Sequence, residues 1–217
     1  MHTANDWYRL ESKYRTHRYT GTGDAEAVLT VTRSPDLLIT APHSLNHAHK
    51  GHWKPADRGT GGLAELLGQR LGASVIVPTA VVPNWVSWQT RNDSFRRALD
   101  AATARRPFTI DVHGMTDAHG PDLCIGLGPA PTKRVKALAA AIHSALAKFD
   151  VVDNDPFAAV APSTITAHLQ RSGAPDAIQL EFAARHRSPN AQSSESTVLV
   201  DKLTECLRAF FSGRPQP

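Results

Sequence analysis

Three apolar runs in this sequence end on side chains that bind metals or move protons. Leu37-Leu38-Ile39-Thr40-Ala41-Pro42 leads to His43, Phe108-Thr109-Ile110-Asp111-Val112 to His113, and Ala177-Ile178-Gln179-Leu180 to Glu181. A catalytic zinc in a hydrolase takes three protein ligands of imidazole and carboxylate type and keeps a fourth position for water. His43, His113 and Asp57, the last in an irregular stretch at 41–59, could supply those ligands from three separate loop ends. Glu181 would remain to serve as general base. His47, His49 and His52 crowd the same stretch. His43-x₃-His47 has helical metal-ligand spacing, but Pro42, Gly51 and Pro55 argue against a helix there, and His-Glu-x-x-His is absent. Those three histidines are therefore read as facing solvent or substrate rather than metal. Asp111 could orient the His113 ring through its second nitrogen or bond a nearby loop amide; both readings stay open. Arg91, Arg185 and Arg187 could each offer a guanidinium fork to a substrate carboxylate. A solvated surface role is equally open for Arg185 and Arg187.

The elements that must carry these residues alternate along the chain. Ala27–Thr32, Asp36–Thr40, Ala73–Pro78, Phe108–Val112, Leu123–Leu127 and Ala177–Phe182 read as strands rich in branched residues. Thr60 can cap a helix with Leu63, Leu66, Leu67 and Leu71 at 3–4 spacing, and Asp93 one with Phe95 and Leu99. A helix over 131–149 carries Val135, Leu138, Ile142, Leu146 and Phe149 on one stripe, and a last helix near 192–211 carries Leu199, Leu203, Leu207 and Phe210. Strands separated by helices predict an α/β sandwich around a mixed, mainly parallel sheet, with ligands beyond the carboxyl ends of the strands. Parity sharpens that expectation. Phe108, Ile110 and Val112 share one face while Thr109, Asp111 and His113 share the other, and Ile178, Leu180 and Phe182 oppose Gln179 and Glu181. A strand covered on both faces should be apolar on both, so polar residues on one face mark a site, or an edge strand with a wet face.

Composition bounds the rest. With 217 residues, 41% hydrophobic and 20% charged, the chain is expected to fold as one domain over 25–217, preceded by a polar arm at 1–24 that holds all three tyrosines. Cys124 and Cys206 are too few and too far apart for a cysteine zinc finger or a disulfide framework. The first residues lack an apolar secretory stretch and no run is long enough to span a bilayer, so a cytoplasmic protein without a membrane partner is expected. Net charge is +4, yet the cations are scattered, which argues against a nucleic-acid partner.

Taken together, the motifs resemble the N-formylglutamate amidohydrolase family, with its phage poly-γ-glutamate hydrolase relatives and the zinc carboxypeptidase fold. The resemblance runs from about 36 to 187. It rests on Ala41-Pro42-His43-Ser44, Ala56-Asp57-Arg58-Gly59-Thr60, Arg91-Asn92-Asp93, Asp111-Val112-His113-Gly114, Asp122-Leu123-Cys124-Ile125-Gly126 and Ile178-Gln179-Leu180-Glu181. Leu45 departs from it, standing where glycine usually follows Pro-His-Ser, and the chain is short for a full deformylase. The resemblance implies a three-layer sandwich of the phosphorylase/hydrolase-like type. It also implies one zinc per chain on His43, Asp57 and His113, Glu181 as the catalytic glutamate, and Arg91 and Asn92 near the substrate. The implied reaction is hydrolysis of a small acidic amide, with a poly-γ-glutamate peptidase or a binding module without turnover as alternatives.

Overall fold

The computed structural model describes residues 3–23, 28–49, 51–80, 85–187 and 194–213. Asp24, Ala27 and residues 192–193, from the expected arm, first strand and last helix, lie outside them. In chain order the elements are α1 (Thr3–Thr16), β1 (Val28–Val31), β2 (Ser34–Thr40), β3 (His47–His49), β4 (His52–Lys54), α2 (Thr60–Leu71), β5 (Ala73–Pro78) and α3 (Ser94–Thr103). They continue with β6 (Phe108–Met115), β7 (Leu123–Gly126), α4 (Lys133–Ala145), β8 (Val151–Asp153), α5 (Ile165–Arg171), β9 (Ala177–Ala183) and α6 (Ser194–Ser212). Seven strands form one sheet in the order β1-β5-β2-β6-β9-β7-β8. The inner run β5, β2, β6 and β9 is parallel; β1 joins β5 and β7 joins β9 antiparallel, while β8 runs parallel to β7. Helices cover both faces, giving the three-layer α/β sandwich with a mixed, mainly parallel sheet.

Strand parity sorts the two faces. Leu37, Ile39, Val75, Val77, Phe108, Ile110, Val112, Ile178, Leu180 and Phe182 point to one side and pack with side chains of α1, α2, α4 and α6 in a single core. The opposite face starts apolar. Leu38, Ile76 and Ala177 pack there against Phe95 and Leu99 of α3 and Ile165 and Leu169 of α5. Farther along the same face the strands turn polar, and that patch is the candidate site.

Helix ends follow local chemistry where the chain supplies it. Asp93 accepts from Arg96 N at 2.9 Å to cap α3, and Thr132 accepts from Val135 N at 3.1 Å to cap α4. α2 differs from the sequence expectation: its N-cap is Gly59 in the left-handed region (φ 93°), not Thr60. The cap arrives from another element. Glu11 of α1 accepts from Gly59 N at 2.8 Å and Gly62 N at 2.7 Å, placing a buried carboxyl on the amino end of α2. Burial pushes that carboxyl up to about 7, against the pull of the two backbone donors.

The N-terminal segment is thus a helix built into the core rather than an arm laid over it. Trp7, Leu10 and Tyr14 are buried among the core residues, Trp7 Nε1 donates to Gly59 O at 2.9 Å, and Tyr14 donates to Glu65 Oε1 at 2.7 Å. The stretch 41–59 differs as well. It contains the two-stranded hairpin β3–β4, in which His47 pairs with Lys54 and His49 with His52.

Candidate metal centre

The carboxyl ends of β2 and β6 and the loop before α2 bring three ligand types together. One ligand atom from each of His43, Asp57 and His113 can be chosen so that all lie within 4.8 Å of one another. Asp57 Oδ2 sits 3.5 Å from His43 Nδ1 and 3.6 Å from His113 Nδ1. Backbone bonds hold the cluster in register. Asp57 N donates to His43 O at 2.8 Å, Thr60 N and Oγ1 donate to Asp57 O, and Gly114 N donates to Asp57 Oδ2 at 3.0 Å.

Sheet register supplies the support behind the imidazole. β6 places Asp111 two residues before His113 on the same face, and Asp111 Oδ2 lies 3.0 Å from His113 Nε2. Thr40, opposite Asp111 on β2, donates to Asp111 Oδ1 at 2.7 Å. Because Asp111 accepts, the Nε2 position carries a proton, and Nδ1, which faces Asp57, is the nitrogen a cation would take in place of a second proton. This donor set fits a divalent cation of the zinc type: two imidazole nitrogens and one carboxylate oxygen converge, with the outer nitrogen of one ring already bonded.

Burial works against the protonated form of His113, yet the Asp111 and Asp57 carboxylates hold its pKa well above the usual imidazole range. Burial would raise Asp57, but the His113 and His43 rings keep its carboxyl well below the ordinary carboxylate range. His43 is pushed down by burial. A divalent cation would compete with the proton for the Nδ1 position of His113.

Glu181 stands next to this cluster, opposite His113 in the β6–β9 register. It is 6% exposed, its Oε1 accepts from Gln179 Nε2 at 2.9 Å, and burial pushes its carboxyl up to about 7. The cluster and Glu181 line one cavity of about 600 Å³. Its other walls come from Trp85, from Met115 at the end of β6 and His119 beyond it, from residues 156–161 and 163–165, and from His47, His49 and Lys54 of the hairpin. His47 stacks on His43 with ring centroids 4.2 Å apart, and His52 does not line the cavity.

The arginines are elsewhere. Arg185 is spent on Asp122 Oδ1 and Gly120 O, both at 2.7 Å, with its backbone N on Asp117 Oδ1. Arg91 pairs with Asp93 Oδ2 at 2.9 Å, and the Asn92 carbonyl accepts from Arg97. None of Arg91, Asn92 and Arg185 lines the cavity. Arg187 has become a strut. Its guanidinium donates to Phe182 O, Met115 O and Arg58 O, tying the ends of β9 and β6 to the Asp57 loop. It lies so close over Gly114 that a Cβ there would meet it at 2.4 Å, so a side chain at 114 would have to displace this strut.

Sequence reasoning missed Lys54, Trp85, His119 and the 156–165 wall. Of these only Lys54 left a trace: His47-x-His49 before Gly51 has the alternation of a hairpin arm. The others enter the cavity through tertiary folding alone.

Comparison with known proteins bears on this site. Residues 88–186 match the family model described as N-formylglutamate amidohydrolase. The chain resembles that family. The match spans Asp111, His113 and Glu181 but stops short of His43 and Asp57. No curated protein matches the sequence. Among solved structures, the N-formylglutamate amidohydrolase of Ralstonia eutropha JMP134 superposes with a TM-score of 0.58 at 13% identity, covering 86% of this chain and 98% of that one. A bacteriophage poly-γ-glutamate hydrolase gives 0.55 at 14% identity, over 86% and 87%. A putative carboxypeptidase A from Shewanella denitrificans OS-217 gives 0.53 at 15% identity, over 96% of this chain and 69% of that one. At these identities the structural likeness establishes the fold. The described residues contain no helix long and apolar enough to cross a membrane.

Proposed function

We propose that this chain is a zinc-dependent amidohydrolase that cleaves the amide bond of a small N-acyl amino acid such as N-formylglutamate, or of a related acidic amide. The observation that carries the reading is the meeting of His43, Asp57 and His113 in a cavity that also holds Glu181, a buried carboxyl outside the ligand set. The partial family match supports amide hydrolysis as the reaction class. Zinc bound by those three residues would polarise the scissile carbonyl and acidify a water beside it.

The remaining steps belong to the chain itself. Asp111 keeps the proton on His113 Nε2 and fixes the ring's orientation. Gln179 holds Glu181 through Oε1, leaving Oε2 to take the proton from the attacking water and pass it to the departing nitrogen. A carboxyl raised to about 7 suits a group that must accept and then donate near neutral pH. Trp85, Met115, Phe157 and Val160 contribute apolar surface to the cavity.

The test is a panel of N-acyl amino acids and γ-glutamyl amides offered to zinc-loaded protein, following released amine, with elemental analysis of dialysed wild type and His113→Ala. Turnover of acidic N-acyl amino acids with about one zinc per wild-type chain and much less in the variant is expected. Cleavage of γ-glutamyl polymers alone would move the reading to a poly-γ-glutamate peptidase. Equal metal in both proteins would overturn the ligand set, and a fully metallated wild type that cleaves nothing would leave a binding module.

A further inference from the structure

We propose that the β3–β4 hairpin is the wall that reads the substrate's charge, with Lys54 taking a substrate carboxylate and His47 Nε2 accepting a substrate N–H. The substrate named here rests on the amidohydrolase reading above.

Hairpin parity sets up the wall. His47 lies directly across from Lys54 and His49 from His52, so these four side chains share one face while Ala48 and Trp53 share the other. Three of the four, His47, His49 and Lys54, line the cavity, and Trp53 is 58% exposed on the outer face. Among the described residues that line the cavity, Lys54 is the single lysine or arginine. The acids there are Asp57, already bonded to Gly114 N and flanked by two imidazoles, and Glu181, held by Gln179. Away from the proposed metal ligands, an incoming carboxylate therefore meets the Lys54 ammonium, which stands on the hairpin. The wall from 156–161 and 163–165 carries no charged side chain, its polar ones being Ser163 and Thr164.

His47 supplies the second contact. It is 3% exposed and its Nδ1 lies 3.1 Å from Leu45 O. A carbonyl only accepts, so Nδ1 carries the hydrogen and Nε2 is an acceptor. That Nε2 is buried with no hydrogen-bond partner, although the residue lines the cavity and its ring stacks on His43 beside the proposed metal ligands. A buried acceptor without a donor is costly, and a ligand N–H would satisfy it. An acidic amino acid presents both groups at once: a nitrogen near the metal ligands and a carboxylate farther out.

The experiment titrates L-glutamate and L-glutamine, which share the α-carboxylate and differ in the charge of an isosteric side chain, into the zinc-loaded protein by calorimetry, beside kinetics on their N-formyl derivatives. Wild type should prefer glutamate. Lys54→Met should weaken glutamate about tenfold, equivalent to about 1.4 kcal/mol, and raise KM for the acidic substrate alike with kcat little changed. It should leave glutamine within about twofold, and Lys54→Arg should keep most of the preference. His47→Phe, which keeps a ring against His43, should weaken both ligands equally, since the N–H is common to them, with zinc content unchanged. No preference in wild type, or equal losses on both ligands in Lys54→Met, overturns the role of Lys54 at the side-chain carboxylate, the group the two ligands do not share. Zinc loss in His47→Phe, or unchanged binding of both ligands, removes His47 from the wall. Glutamate preference that depends on Lys54 without turnover of any amide would sink the hydrolase reading and leave the wall standing. Turnover with an indifferent Lys54→Met would do the reverse.

Discussion

The two faces of β6 and β9 are built from the same residues in alternation, yet they answer to different physics. On one face Phe108, Ile110, Val112, Ile178, Leu180 and Phe182 are all fully buried in an apolar core that extends to four helices. On the other, Asp111, His113, Gln179 and Glu181 are buried almost as deeply and are polar. Burial is therefore not what separates structure from function here. The apolar face gains by removing surface from water. The polar face must offset the desolvation of its groups with specific bonds, and it does so incompletely: Gln179 Oε1 has no hydrogen-bond partner.

Substitutions on each face should separate the two roles, and the largest effect should fall on turnover. Glu181→Gln keeps the shape and can still accept from Gln179, but it cannot take up a proton. Turnover should fall by about 10²–10⁴-fold while zinc content and thermal midpoint stay near wild type. Loss of metal together with activity would make Glu181 a ligand, and unchanged activity would remove it from the mechanism. One residue earlier, on the packed face, Leu180→Ala should cost about 2–5 kcal/mol of unfolding free energy, read from denaturant midpoints, with zinc stoichiometry preserved. A variant that lost metal as readily as stability would show that the two faces are one cooperative unit and not two.

Asp111→Asn should give the smallest effect, expected at about 10–100-fold in zinc affinity, because it alters a partner of the ligand and not the ligand itself. It also carries a sign that tests the electrostatics. In the metal-free chain Asp111 holds His113 protonated to a pH above the usual imidazole range. Below that raised pKa a proton competes with the cation, so wild-type zinc affinity should fall as pH drops through it and level off above it. Removing the Asp111 charge lowers the His113 pKa, so the fall-off should move to lower pH even as affinity at high pH weakens. Chelator competition across pH reads both changes, and a fall-off at the same pH in both proteins would show that Asp111 does not set the proton competition.

The hairpin and the arginines show how much of the site could be read without the fold. Residue types were legible: imidazole and carboxylate at strand ends, and a glutamate on a polar strand face. The cation was not. Arginine is the usual carboxylate reader, so Arg91, Arg185 and Arg187 stood out in the sequence, but their guanidinium groups are taken by Asp93, by Asp122, and by three backbone carbonyls respectively. Whether a charge is available to a ligand depends on which neighbours already use it, and those neighbours lie up to 129 residues away, as with Arg187 and Arg58.

The sequence by itself determined what is local. Period-two alternation assigned the faces of β6 and β9, Asp93 capped α3, and the 3–4 spacing in α2 and α4 marked their buried stripes, because each of these depends on residues within one or two turns of the chain. Tertiary structure decided what depends on non-local pairing. Parallel registry of β2, β6 and β9 sets Thr40 beside Asp111 and His113 beside Glu181. The α2 cap comes from Glu11, nearly fifty residues upstream of Gly59, so no local signal could announce it. The cavity itself exists only once segments 43–57, 113–119, 156–165 and 179–181 close around the same space. Side-chain chemistry is written residue by residue, whereas proximity between distant residues arises only when burial of the shared core brings the strands into register.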